Sequence, residues 1–349
     1  MKELRVCLVG CGTVGQWLLR ALAAHAERLA ARYDVAPVVV GVATARDGLI
    51  SNPAGLDLPT LLALVAGGRP LAVHPGVVQW PTAREGLRTL DADVLVEVTS
   101  SPAGDGEPGA THMREALRRQ VAVVTSNKWP VALHGVELAQ LARRSGVAFR
   151  AESTVMSGTP VLSTLREGLA GATPVALRGI LNATSNFILS EMSRGASYAD
   201  ALSTAQQAGL AERDPTADVD GHDAVAKLMI LAGLVFGRQL RVEQVARQGI
   251  AHLDRAEIEA AAAAGAQIRP LATLEFAEPD GGGSVSARVQ PMPLGLDDPL
   301  AAIDGVSNAL VCRVDPLGAV TIIGPGAGVA LAGQGVLADL IAIARPQTR

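Results

Sequence analysis

Aromatic residues are scarce in this chain, and so are cysteines, clusters of basic residues and long apolar segments. Phe, Trp and Tyr make up 3% of the 349 residues, so the core must be built mainly from Ala, Val and Leu. The three cysteines, Cys7, Cys11 and Cys312, are an odd number and offer no disulfide framework or metal-ligand spacing. We interpret them as reduced thiols of a cytoplasmic protein.

The charge and hydropathy patterns exclude two kinds of partner. A net charge of −4, with no Lys/Arg cluster, argues against a nucleic-acid surface. No apolar run reaches the roughly 18 residues that a transmembrane helix needs. The charged start, KELRVCLVG, also lacks the apolar segment of a signal peptide. We therefore expect a soluble protein that acts on a small molecule, without a membrane or a nucleic acid as partner.

A glycine-rich turn follows the first apolar segment of the chain. Gly10, Gly12 and Gly15 form a GxGxxG pattern between a predicted strand and a helical repeat of Leu and Ala. In this context the three glycines permit a tight turn, close approach of a pyrophosphate, and close helix–strand packing. Thr13 and Val14 begin the helix, where free N–H groups attract phosphate. The pattern predicts a dinucleotide-binding site.

The end of the second predicted strand bears on the choice of coenzyme. No Asp or Glu follows the strand at 38–43 directly, where a carboxylate would bind the ribose hydroxyls of NAD. Arg46 could instead pair with the 2′-phosphate of NADP. Asp47 is one residue further on, so NAD stays possible, and a solvated loop charge is the alternative for Arg46. The sequence favours NADP over NAD.

Polar residues end two later strands of the α/β alternation. Thr99 follows the predicted strand at 94–98, and Ser126 and Lys128 follow the one at 121–125. The carboxyl ends of parallel strands line the ligand crevice of an open α/β sheet. We therefore expect these three residues at the nicotinamide end of the coenzyme.

An acidic loop leads into an apolar helix in the second half of the chain. Asp223 and Lys227 are four residues apart, which places a carboxylate and an ammonium on one helix face. Such a pair can transfer protons when it is partly desolvated. A surface salt bridge is the alternative for this spacing. The carboxylates of the loop are Glu212, Asp214, Asp218 and Asp220.

The pattern of elements predicts an α/β protein with two domains. Residues 1–150 form a Rossmann-type, parallel-sheet domain that binds NAD(P), and residues 151–304 form an α+β domain for catalysis, substrate binding and dimerisation. Residues 305–349 return to pack on the nucleotide domain. An open sheet in the second domain favours a homodimer.

Six segments, in this order and spacing, resemble the homoserine dehydrogenase family over nearly the full chain. They are GCGTVG (10–15), TSNK (125–128), ESTVMSGTP (152–160), GILNATSNFIL (179–189), AERDPTADVDGHDAVAKL (211–228) and GPGAG (324–328). The resemblance implies NAD(P)-dependent interconversion of L-homoserine and L-aspartate 4-semialdehyde, in threonine, methionine and isoleucine biosynthesis. It also implies a short form without an ACT or aspartokinase domain.

The resemblance also implies roles for individual residues. Lys227 is similar to the catalytic lysine of the family, and Lys128 to its partner near the reacting carbon. Glu212 and Asp223, with Asp218, are implied to hold the substrate, and Asp223 is included among the catalytic residues. Gly328 would approach the coenzyme. A monovalent cation such as sodium would be bound by Glu152, Val155, Ser157 and Thr159.

Two other functions remain open at this point. A related oxidoreductase could act on a different amino-acid semialdehyde or hydroxy acid, since Trp129 stands where the family usually has a small residue. A non-catalytic NADP-binding protein is the second alternative. It would need none of Lys128, Glu212, Asp223 and Lys227.

Overall fold

The structure is a computed structural model that describes residues 2–276 and 284–345. It divides into two compact units. Unit 1 comprises residues 1–158 and 328–349, and unit 2 comprises residues 159–327.

Unit 1 is built on a seven-stranded sheet with the order β4-β3-β2-β1-β5-β6-β7. Strands β2, β1, β5, β6 and β7 are parallel to one another. Strands β3 and β4 extend the sheet beyond β2, each antiparallel to its neighbour. Its strands are β1 (Lys2–Val9), β2 (Val35–Thr44), β3 (Gly48–Ser51), β4 (Val78–Trp80), β5 (Val94–Glu97), β6 (Ala122–Thr125) and β7 (Phe149–Arg150).

The central strand of unit 1 is buried on both faces. Val6 and Leu8 pack into one apolar cluster, and Cys7 and Val9 into another. Two buried faces explain the near-continuous apolar run of this strand, which is typical of parallel sheets covered by helices. The helices of unit 1 are α1 (Thr13–Ala24), α2 (Ala26–Tyr33), α3 (Leu58–Ala66), α4 (Ala83–Leu87), α5 (Gly109–Arg118), α6 (Lys128–Ser145) and, after unit 2, α13 (Val329–Ala344).

Unit 2 contains a mostly antiparallel sheet of six strands in the order β13-β12-β8-β10-β11-β9. Its strands are β8 (Thr173–Ile180), β9 (Val245–Arg247), β10 (Ala266–Phe276), β11 (Val285–Gly295), β12 (Asn308–Asp315) and β13 (Gly318–Gly324). Its helices are α7 (Val161–Ser163), α8 (Ala183–Ser193), α9 (Tyr198–Gln207), α10 (Thr216–Val219), α11 (His222–Phe236) and α12 (Arg255–Ala263).

The predicted fold class is confirmed, but the last part of the chain is divided differently from our expectation. We expected the return to the first domain from residue 305. In the structure β12 pairs with β8, and β13 pairs with β12, so both strands belong to unit 2. The return begins at Gly328, and the first boundary falls at residue 158 rather than 150. Within the described ranges, none of the helices combines the length and apolarity that crossing a bilayer requires.

Candidate active site

The glycine loop of unit 1 joins β1 to α1, as the sequence predicted. Gly10 has φ of +104°, and a Cβ there would lie 2.8 Å from the Thr99 nitrogen. A Cβ on Gly15 would lie 2.2 Å from the Gly10 carbonyl oxygen, so both glycines are required by the fold itself. Gly12 differs, because nothing described lies within 4 Å of its Cβ position. The open space beside Gly12, at the start of α1, is where a pyrophosphate would bind.

A cavity of about 230 Å³ lies beside this loop and the end of β2. It is lined by Cys11, Thr44, Arg46, Asp47, Val65 and Leu71. Its position at the first two strand ends is that of the adenosine half of a dinucleotide. Burial raises the pKa of the Cys11 thiol to about 11, so this thiol is protonated at neutral pH.

The Asp47 carboxylate, which in the sequence was a possible ligand of the NAD ribose, accepts hydrogen bonds from other residues of unit 1 in the structure. One carboxylate oxygen accepts the Thr44 hydroxyl at 2.8 Å, and the other accepts the Leu71 N–H at 3.1 Å. The Arg46 guanidinium also contacts Asp47, and it donates to the Gly68 and Arg69 carbonyls at 2.9 and 2.8 Å. Asp47 is therefore an anchor of the loop after α3, and the Arg46 side chain, 58% exposed, lies on the cavity wall.

Thr99, Ser126 and Lys128 follow β5 and β6, and Lys128 is the first residue of α6. Sequence reasoning missed Glu97 and Asn127, which connect these two strand ends. The Glu97 carboxylate accepts the Thr99 hydroxyl and the Asn127 amide. Glu97 is the last residue of β5, after an apolar run, so in the sequence it is indistinguishable from an ordinary polar residue at the end of a strand.

In unit 2, Asp223 and Lys227 form an ion pair of 2.7 Å, and their side chains are only 11% and 13% exposed. The Lys227 ammonium also donates to the Leu181 carbonyl at 2.6 Å, just beyond β8. Asn182 donates its amide to Asp223 at 3.0 Å and to Asp218 at 2.7 Å. Lys227, Leu181, Asn182 and Asp223 thus form a closed hydrogen-bonded ring, which we call the lysine clamp. The pair is therefore largely buried, and the surface alternative is wrong.

Asn182 was not identified by sequence reasoning, although it lies within the GILNATSNFIL segment. Its side-chain oxygen accepts the Ser185 N–H at 2.8 Å and caps α8, so its amide nitrogen is directed at the two carboxylates. A residue that caps a helix is held in position by the backbone. The clamp is thereby fixed to the end of β8.

The sequence contains only three lysines, Lys2, Lys128 and Lys227, and this scarcity is a signal that could have strengthened the assignment of the last two.

Glu212 is exposed in the loop between α9 and α10, and it does not belong to the lysine clamp. Its backbone carbonyl accepts the Gln206 amide at 3.1 Å. Of the loop carboxylates, the structure brings Asp218 to the clamp through Asn182.

The residues expected at a cation site are mostly buried. Glu152 is 4% exposed, and its N–H donates to Asp339 on α13 at 2.9 Å. Val155 is fully buried, and Ser157 has φ of +55°. Thr159, in unit 2, has a buried hydroxyl without a hydrogen-bond partner in the described chain. No cluster of three or more His, Cys, Asp or Glu side chains suited to a metal occurs in the described residues. Gly328 directly precedes α13.

The glycine loop of unit 1 and the lysine clamp of unit 2 are features expected of an NAD(P)-dependent oxidoreductase. Residues 10–152 match the family model described as homoserine dehydrogenase, NAD binding domain, and residues 160–341 match that of homoserine dehydrogenase. The chain belongs to the homoserine dehydrogenase family.

Individual relatives agree with this assignment. The NAD(+)-dependent homoserine dehydrogenase of Pseudomonas canavaninivorans is 39% identical, over 100% of this chain and 98% of its own. A homoserine dehydrogenase structure from Thiobacillus denitrificans has a TM-score of 0.83 and 33% identity, covering 100% of this chain and 74% of its own. A hyperthermophilic archaeal homoserine dehydrogenase in complex with NADPH has a TM-score of 0.81 and 30% identity, with 98% of each chain covered.

Proposed function

We propose that this chain catalyses the reversible NAD(P)-dependent interconversion of L-homoserine and L-aspartate 4-semialdehyde. The observation that carries the proposal is the lysine clamp, a largely buried ammonium held by a carbonyl and a carboxylate in a member of this family. Burying the Lys227–Asp223 ion pair has a desolvation cost that close contacts must offset. A protein that only bound the coenzyme would not need this pair.

The geometry of the clamp suits proton transfer to an alcohol or aldehyde oxygen. An ammonium has three N–H donors. Leu181 and Asp223 direct two of them, and tetrahedral geometry then fixes the direction of the third. In aldehyde reduction Lys227 would donate a proton to the oxygen as it gains charge, and in alcohol oxidation its amine form would accept the hydroxyl proton. A bound coenzyme would supply the hydride in its reduced form for the first direction, and in its oxidised form it would accept the hydride in the second.

Glu212, Asp218 and Asp223 are proposed to hold the substrate, with the Glu212 and Asp223 carboxylates bound to its amino group. Asn182 supports the assignment of two of them, because it holds Asp218 and Asp223 side by side. Lys128 is proposed to act near the reacting carbon. The cation site at Glu152, Val155, Ser157 and Thr159 also stays a proposal, with the buried Thr159 hydroxyl as its support.

Substrate profiling tests the proposed reaction against its main alternative. Purified protein is given NADP or NAD with L-homoserine and, in parallel, with other hydroxy amino acids and 2-hydroxy acids, and the absorbance of reduced coenzyme is followed. We expect the highest kcat/KM with L-homoserine. A higher value with another alcohol would assign the chain a different substrate within the same reaction class, and Trp129 would then be the first residue to change.

We further propose that NADP is the preferred coenzyme and that Arg46 is responsible. Changing Arg46 to Ala should lower kcat/KM for NADP about tenfold to a hundredfold, since a guanidinium–phosphate pair is a strong charge-assisted interaction. The value for NAD should change little. Arg69→Ala is the matched control, because it removes an exposed charge from the loop that Arg46 binds. A wild-type preference for NAD would overturn this role of Arg46.

Replacement of Asn182 by Ser tests the support of the clamp. Serine caps helices as well as asparagine does, so α8 should be retained, while both amide donors to the carboxylates are lost. We expect kcat to fall about tenfold or more, as expected when hydrogen bonds to charged groups are removed. Asn308→Ser is the control, because Asn308 is also buried and donates to the Ile180 carbonyl at 3.1 Å. Unchanged kcat in Asn182→Ser would show that the amide is dispensable.

A homodimer in the cytoplasm is the proposed state of the protein. Three free thiols, Cys7, Cys11 and Cys312, support a reducing compartment. β13 is an edge strand of the unit 2 sheet, and it exposes 60% of the Ile323 surface. Light scattering of the purified protein tests the dimer, and a monomer mass would exclude it.

A further inference from the structure

A buried polar network in unit 1 involves four residues, Glu97, Thr99, Ser101 and Asn127, and we call it the Glu97 network. Glu97 is fully buried at the end of β5, and Asn127, 4% exposed, is the residue before α6. The Asn127 amide nitrogen lies 3.0 Å from a Glu97 carboxylate oxygen, 3.1 Å from the Thr99 hydroxyl and 2.8 Å from the Ser101 hydroxyl, and its two hydrogens are shared among these three acceptors. Its side-chain oxygen accepts the Ser101 N–H at 3.2 Å. One buried carboxylate thus ties together two loops that follow neighbouring strands.

The network controls the position of backbone that borders the coenzyme loop. Thr99 donates its hydroxyl to Glu97, and its backbone nitrogen lies so close to Gly10 that a Cβ there would be only 2.8 Å away. Asn127 immediately precedes Lys128, the first residue of α6. Gly109 leaves the room for Asn127, because a Cβ on Gly109 would lie 2.7 Å from the Asn127 amide nitrogen. The network is therefore packed with little freedom to move.

The Glu97 side chain is held by several polar neighbours. Both of its oxygens accept hydrogen bonds, one from Thr99 and one from Asn127. His112 provides a third polar neighbour, with its Nδ1 3.6 Å from Glu97. A fully buried polar side chain is tolerated only where such contacts offset its desolvation. If the side chain at position 97 only filled space in the core, an apolar residue would be more favourable there than Glu97.

We propose that Glu97 is a positioning residue for the coenzyme, which sets Thr99 against the glycine loop and Asn127 at the start of the helix that carries Lys128. Its effect on coenzyme binding is independent of the substrate, whereas its effect on Lys128 rests on the function proposed above. The hydrogen bonds described for the network join residues of unit 1, so we expect the KM for L-homoserine to stay within about twofold of the wild-type value.

An exchange of the carboxylate and the amide between Glu97 and Asn127 tests the proposal. Glu97→Gln replaces one acceptor oxygen by an amide nitrogen, so one of the two hydrogen bonds is lost, and we expect the NADPH dissociation constant to rise about tenfold. Asn127→Asp places two carboxylates in contact, and the rise should be about a hundredfold or more. The double variant, with both substitutions, again sets a carboxylate opposite an amide, so the dissociation constant should recover to within about fivefold of wild type. NADPH fluorescence titration without substrate measures all three.

Glu115→Gln is the matched control, because Glu115 is a partly buried carboxylate on α5 that pairs with Arg84 and Arg88. It should leave the NADPH dissociation constant unchanged. Wild-type affinity in both single variants, or no recovery in the double variant, would overturn the proposal. If Asn127→Asp does not fold, the proposal is tested by whether the double variant binds NADPH more tightly than Glu97→Gln does. Wild-type protein that binds NADPH without oxidising L-homoserine would refute the proposed substrate and leave the role of Glu97 intact.

Discussion

Replacing Lys227 by Ala should lower the rate of L-homoserine oxidation about a thousandfold, because the group that exchanges the hydroxyl proton is removed. The coenzyme should bind as before, since Lys227 belongs to unit 2 and the glycine loop to unit 1. The measurements are kcat from the absorbance of reduced coenzyme and the NADPH dissociation constant from fluorescence. A loss of kcat without a change in NADPH affinity is the expected signature.

Lys2→Ala is the natural control for this variant. Lys2 is exposed at the start of β1, and it is the one lysine of the sequence that has no proposed role. Its removal should change neither kcat nor coenzyme affinity. Turnover of Lys227→Ala within tenfold of wild type would contradict the assignment of Lys227 as the proton-transfer group.

Changing Gly12 to Ala should weaken NADPH binding about a hundredfold while the melting temperature stays near that of the wild type. Gly12 has φ of −78°, which a side chain tolerates, and its Cβ direction is open in the protein. A methyl group there would take the space of the pyrophosphate. Loss of ligand affinity with retained stability is therefore expected, measured by fluorescence titration and thermal unfolding.

The same substitution at Gly15 should behave differently. Its Cβ would lie 2.2 Å from the Gly10 carbonyl oxygen, which is backbone and cannot easily move. Gly15→Ala should therefore lower both the melting temperature and the coenzyme affinity. If Gly12→Ala bound NADPH as tightly as wild type, the open space beside Gly12 would not be the pyrophosphate site.

Local patterns in the sequence were sufficient for the features that depend on short-range geometry. The GxGxxG turn was predicted from its place between a strand and a helix, and the structure has it between β1 and α1. The spacing of Asp223 and Lys227 predicted one helix face, and their charged atoms lie 2.7 Å apart on α11. Both features are set within a few residues, where periodicity is informative.

Features that depend on distant pairing could not be read from the sequence. Asn182 reaches carboxylates 36 and 41 residues away, and the Asn127 amide reaches a carboxylate 30 residues away. No local pattern indicates these partners. The same reason explains the misplaced return of the chain, because only the pairing of β12 with β8 shows that residues 308–315 belong to unit 2.

We propose that this chain oxidises L-homoserine with a nicotinamide coenzyme through Lys227. The most direct measurement mixes wild-type protein and Lys227→Ala, separately, with L-homoserine and NADP, and follows both reduced coenzyme and L-aspartate 4-semialdehyde. We predict equal amounts of the two products from the wild type and almost none from the variant. Reduced coenzyme without the semialdehyde, or equal turnover by both proteins, would contradict the claim.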